Sequence, residues 1–152
     1  MCEDKRVCGA CTACCKTHPI VEIDKPAGSW CSQCDVGHGC RIYAERPTSC
    51  REFQCQWLKG SWEENDRPDK TKVVIDFSIY PSIGRTMMLF EVAIGGLDRR
   101  FASLVRKAAI KARYAILLVP VSGEAVLILE KGRTVSDDFV LEGGRKVRVE
   151  YR

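Results

Sequence analysis

No cysteine lies beyond Cys55, yet ten stand at or before it in a chain of 152 residues. Such segregation excludes a cysteine framework for the whole fold; these residues serve a local structure. Long apolar runs are also missing. The longest, Ala115 to Val121, falls far short of the ~20 residues that cross a bilayer as a helix. Met1 to Arg6 has no apolar stretch behind it, so a secretory signal is not expected. A cytoplasmic location follows as the expectation, and there clustered cysteines stay reduced and bind metal or do redox chemistry. Neither sign of charge dominates. The net charge is +4, with eight Lys and Arg against seven Asp and Glu in residues 1–60 and sixteen against thirteen in residues 61–152. That balance is too weak to imply a nucleic-acid partner. A phosphate-binding glycine loop, a GxSxG elbow and an HExxH pair are all absent. Trp30, Trp57 and Trp62 are not interleaved with basic residues as in a base-stacking module.

The cysteines that are present fall into three groups. The first is Cys8, Cys11, Cys14 and Cys15; the second is Cys31 and Cys34 followed by Cys40; the third is Cys50 and Cys55. Two residues between cysteines allow both sulfurs to turn onto one ion, with backbone amides facing the thiolates. Adjacent Cys14 and Cys15 are poor partners for each other and are expected to serve different metals or different edges of a cluster. Cys2 lies outside the spacing. Two unshared tetrahedral zinc ions need eight ligands and one cubane iron–sulfur cluster needs four. Nine thiolates therefore exceed one mononuclear site. Two or more metals, or a small polynuclear site with bridging thiolates, match the count. His18 and His38 are the only histidines. Either could replace a sulfur, but His38 reads as a loop residue and His18, before Pro19, as a structural one.

These residues carry a resemblance. CxxCxxCC at Cys8–Cys15 is followed by Gly39-Cys40-Arg41-Ile42-Tyr43, by Arg46-Pro47-Thr48-Ser49-Cys50-Arg51-Glu52-Phe53 and by Cys55. Over about residues 8–57 the chain resembles the bacterial CxxCxxCC zinc- or iron-chelating family, the YkgJ-like cysteine-cluster proteins. A related cluster occurs in a bacterial flagellin lysine methylase. The resemblance implies a bacterial protein that holds zinc or iron through about eight cysteines. The Cys31/Cys34 pair is less clearly part of that pattern, and residues 70–152 match nothing in it. Arg46 and Arg51, placed among the ligands, are expected to offset thiolate charge and donate to sulfur. Tyr43, Phe53 and Trp57 are expected to form an apolar lid.

The chain is expected to divide into a Cys-rich metal-binding lobe, residues 1–60, and a sheet domain, residues 70–152, which together could form one compact unit. Helical turns are expected near Ile42–Ala44 and from Cys50 to Leu58, with a loop over Gly60–Asp69. Lys72–Tyr80 and Thr86–Ile94 read as a hairpin. Asp98 is expected to cap a helix reaching Arg113, with Phe101, Leu104, Val105, Ala108 and Ala112 on its inner face. Its basic residues (Arg99, Arg100, Arg106, Lys107, Lys111, Arg113) read as a solvated face. Strands are expected at Ala115–Val121 and Ala125–Glu130, and a hairpin at Phe139–Leu141 and Lys146–Tyr151 about Gly143-Gly144. Asp137-Asp138 reads as loop chemistry. The fold class is thus α+β, an irregular metal-stapled lobe packed on an antiparallel sheet with one main helix.

Three function classes fit. The leading one is a metal-binding protein whose nine cysteines, Cys8 to Cys55, hold zinc and whose role is metal handling or a protein partner. The second is an iron–sulfur electron carrier or enzyme. The third is a zinc-stabilised nucleic-acid module using the basic helix, which the charge balance does not favour. No residue is assigned a catalytic role, and no membrane partner is expected.

Overall fold

The computed structural model describes residues 6–135, 139, 141 and 144–152. The Cys-rich segment is built from short pieces. Helix α1 spans Ala13–Thr17, strands β1 (Cys34–Asp35) and β2 (Gly39–Cys40) form an antiparallel pair, and helix α2 spans Thr48–Glu52. Tyr43–Glu45 is a 3-10 turn rather than a helix, and α2 stops where Phe53 turns extended, well short of Leu58. Pieces this short lack the length to hold themselves helical in water. Helix α3, Pro68–Thr71, closes the connecting loop with Pro68 at its first position.

The second part is a five-stranded sheet in the order β3 (Val73–Tyr80), β4 (Gly84–Glu91), β5 (Ala115–Val119), β6 (Ala125–Leu129), β7 (Val147–Tyr151). With helix α4, Arg100–Lys111, this confirms the α+β class. The sheet is mixed, not antiparallel: β3/β4 and β5/β6 are antiparallel, but β4/β5 and β6/β7 run parallel. The reason lies in the connections. β4 reaches β5 through α4, and such a crossover returns the chain in the same direction. Leu141 and Arg145 make a single antiparallel bridge, and β7 then pairs with β6. The second arm of the expected hairpin is thus β7, paired with β6 and not with Phe139–Leu141; Val140, Glu142 and Gly143, and Asp137-Asp138, lie outside the described residues.

Helix α4 packs through Ala102, Val105 and Ala109, with Phe101 half-buried, against Val73, Ile75, Leu89, Ile116, Leu118 and Ile128. Leu104, Ala108 and Ala112 are exposed, against expectation. Small side chains at two of the three contact positions let the helix lie close to the sheet, and that proximity outweighs burial of Leu104. Asp98 belongs to a preceding 3-10 turn, and Arg99 holds the cap position without a side-chain hydrogen bond. Arg99, Arg100, Lys107, Lys111 and Arg113 are exposed and Arg106 is half-buried.

The Cys-rich lobe meets the sheet around Val74, whose side chain alternates with those of Val73 and Ile75. Val74 is fully buried and clusters with Ala13, Val92, Cys11, Phe53, Cys55 and Phe90. Polar contacts fix the same junction: Lys16 Nζ donates to Val92 O at 2.8 Å and Gln56 N to Ile75 O at 2.9 Å. Arg6 donates to Trp57 O, Ser61 O and Trp62 O at 2.7–2.8 Å. Among the described residues no helix is long and apolar enough to cross a membrane.

Candidate metal centre

Two tight turns present the first cysteines. Cys11 N donates to Cys8 O at 2.9 Å, and Cys34 N donates to Cys31 O at 3.1 Å, so both CxxC segments close in the same way. The backbone then draws the groups together. Cys31 N donates to Cys15 O at 3.1 Å, tying the second group to α1. Cys40 sits directly across from Cys34 in the β1/β2 pair. The start of β2 packs on the first turn, where a Cβ on Gly39 would lie 3.5 Å from Gly9 O. Both glycines have positive φ, +147° and +54°, which only glycine adopts without strain. Buried Thr12 takes a hydrogen bond from Gly37 N at 3.1 Å on its hydroxyl. Glu22 accepts from Ser49 N at 2.8 Å and Ser49 Oγ at 2.7 Å, holding the first turn of α2 and hence Cys50.

The result is one chamber of about 290 Å³ lined by Cys8, Cys11, Cys14, Cys15, Cys31, Cys34, Cys40, Cys50 and Cys55. All nine are free thiols, Cys34 buried and the others half-buried. Cys2 lies outside the described residues. Ile20, Ile23, Ile42, Tyr43, Phe53 and Leu58 supply apolar wall. Tyr43 and Phe53 therefore take the expected place, but Trp57 does not: it is buried to the side, its Nε1 donating to Glu63 O at 3.1 Å.

Burial and mutual proximity disfavour thiolate without a cation. Burial pushes Cys11 up to about 11, and burial with neighbouring Cys15 does the same to Cys34. Cys15 is raised by its hydrogen bond with Cys14 and then by burial. Burial raises Cys8, with Cys55 adding and Arg46 opposing. Cys50 and Cys55 are raised by burial. The sulfurs gathered here therefore hold their protons more tightly than an exposed thiol does.

The expected arginine roles are redistributed. Arg46 lines the chamber and its charge acts on Cys8, but its guanidinium stacks on Tyr43 at 3.9 Å and Nε donates to Tyr43 O, not to sulfur. Arg51 does not line the chamber; it bonds Thr48 Oγ1 and faces Glu22. The buried cation is instead Lys25, 7% exposed, whose Nζ donates to the carbonyls of Lys16 and His18. The thiols that act on it are those of Cys15, Cys31, Cys14 and Cys50. Lys25 carries no sequence signal, because nothing in Asp24-Lys25-Pro26 distinguishes it from a surface lysine.

His38 is exposed on the β1/β2 loop, as expected. His18 lines the chamber. Among the described residues, no group of three or more His, Cys, Asp or Glu side chains is drawn into a ligand set in this conformation. The donor chemistry nevertheless fits a soft metal: nine reduced thiols face one space, and a buried imidazole nitrogen beside them lacks a partner. Compared with protein-family models, curated proteins and solved structures, the chain matches none.

Proposed function

We propose that the chamber binds metal through its cysteines, holding two or more zinc ions in a metal-handling or partner-binding role. One observation carries this reading: nine cysteines spread over residues 8–55 line a single chamber without a disulfide among them. The sequence resemblance to the CxxCxxCC zinc- or iron-chelating proteins points the same way. Closed sites built from cysteine alone are characteristic of structural zinc. A reducing cytoplasm suits thiols kept unpaired. When bound, the metal would supply cross-links between α1, the β1/β2 pair and α2, and its charge would offset the thiolates. Metal binding and folding of the lobe are then one equilibrium, since a ligand set forms fully only around its ion.

An iron–sulfur cluster is the second reading, favoured by a chamber larger than one ion fills. Elemental analysis with a visible spectrum on protein purified without oxygen separates the two. Zinc at two or more per chain in a colourless solution is the expected result. Brown protein with iron, sulfide and absorption at roughly 380–450 nm makes the cluster reading correct. Protein without stoichiometric metal of either kind contradicts both.

A further inference from the structure

His18 lines the chamber, and the cysteine reading does not use its imidazole. It caps the end of α1, its N–H donating to Cys14 O at 3.1 Å. Cys14 and His18 are four apart, and Cys15 and His18 three apart. Positions at these spacings share one helical face. The ring packs against Phe53, with centroids 4.1 Å apart, and Phe90, 4.5 Å apart. Nδ1 lies 2.8 Å from Thr17 Oγ1, and that hydroxyl lies 3.4 Å from Ala13 O. Both contacts are satisfied when Nδ1 carries the proton and Thr17 passes its own to Ala13. Nε2 then presents a bare lone pair, and Nε2 is buried without a hydrogen-bond partner. A buried polar atom without a partner calls for an explanation, an unseen ion among them.

We infer that His18 Nε2 is a nitrogen ligand to a metal held by the thiols of α1, giving a mixed sulfur–nitrogen set; this rests on the metal-binding reading above. Thr17 plays the part that outer hydrogen-bond partners play at metal-bound imidazoles, fixing the tautomer and the ring plane. Burial, with the nearby Lys25 charge, holds the imidazole neutral to about pH 4, as a ligand must be. The ring also borders a second cavity, of about 390 Å³, between the lobe and the sheet.

The chain contains just two histidines, so its imidazole NMR spectrum is simple. The test is an isotope-labelled full-length chain, reduced and metal-free, titrated with zinc alone and then with spin-active cadmium. His38→Gln assigns the signals. The expected result is that cysteine Cβ resonances move and His18 locks as the Nδ1–H tautomer, with a cadmium coupling to its Nε2. Thr17→Val should then weaken zinc binding about 10–100-fold. Cysteine shifts with His18 unchanged would overturn the nitrogen ligand and leave the thiolate reading standing. No cysteine shift at all would remove both.

Discussion

Asp76, half-buried, and Lys25, buried, show how single charges act on stability here. Asp76 on β3 is raised above the ordinary carboxylate range by burial, against the opposing pull of Phe77 N and Lys59. A carboxyl raised on folding favours the folded state when protonated. That contribution is present below the unfolded value, near pH 4, and is lost as pH rises through the folded value. Asp76→Asn should therefore raise the thermal midpoint at pH 7, and the gain should vanish in a series of melts taken below pH 4. Equal gain at both pH values would mean burial of the charge is not the cause. Lys25 makes the opposite case. Its ammonium bonds two buried carbonyls and faces four thiols. Lys25→Met removes the partner of His18 O, while Lys16 O keeps the Gly28 N–H, and denaturant unfolding should show a loss of about 1–3 kcal/mol. An unchanged midpoint would assign Lys25 to the surface. Neither residue announces itself in the sequence, since burial is set by how the chain packs and not by the neighbouring residues. His18 is similar: its place before Pro19 suggested only a structural role, and its ring contacts with Phe53 and Phe90 come from distant segments.

At the scale of elements, the strands were legible because period and turn residues are local properties. Val73–Tyr80 and Gly84–Glu91 sit within a residue or two of the expected hairpin, apart from a later end read for the second strand. Strand direction was less legible. The order strand, helix, strand around α4 carried the crossover signal, but the tight turns elsewhere suggested antiparallel pairing throughout. The inner face of α4 was misread for a packing reason: Ala102 and Ala109 win over larger Leu104 by allowing close approach. The turn before α4 obeys the same rule of closeness. A Cβ on Gly96 would lie 2.4 Å from Lys72 O, which also accepts the Val92 N–H at 2.9 Å. Lys72 already has a positive φ of 63° at the end of α3 and has little freedom to retreat. Gly96→Ala should cost about 1–3 kcal/mol in urea unfolding; a neutral substitution would mean that α3 and this turn are not packed as described.

The whole molecule joins a sheet with an ordinary apolar core to a lobe that has almost none. Within the lobe the strongly buried apolar side chains are few: Ala13, Ile20, Cys34 and Trp57. Burial alone gives such a segment little stability. That the cysteines would converge was legible from their spacing and segregation before Cys55. How they converge, through the Cys31–Cys15 backbone bond and the Cys34–Cys40 register, was not. If metal supplies the missing cross-links, a chelator should melt the lobe while the sheet persists. Amide exchange should then rise across residues 8–55 and stay slow in β4, β5 and β6; uniform protection with and without chelator would deny the metal its structural role. The most direct measurement is the native mass of the reduced chain, isolated without oxygen. The account predicts a mass increased by two or more metal ions, or by a cluster, less the protons of the cysteines that ligate them. A mass equal to the bare chain, or lowered by paired hydrogens lost to disulfides, would contradict it.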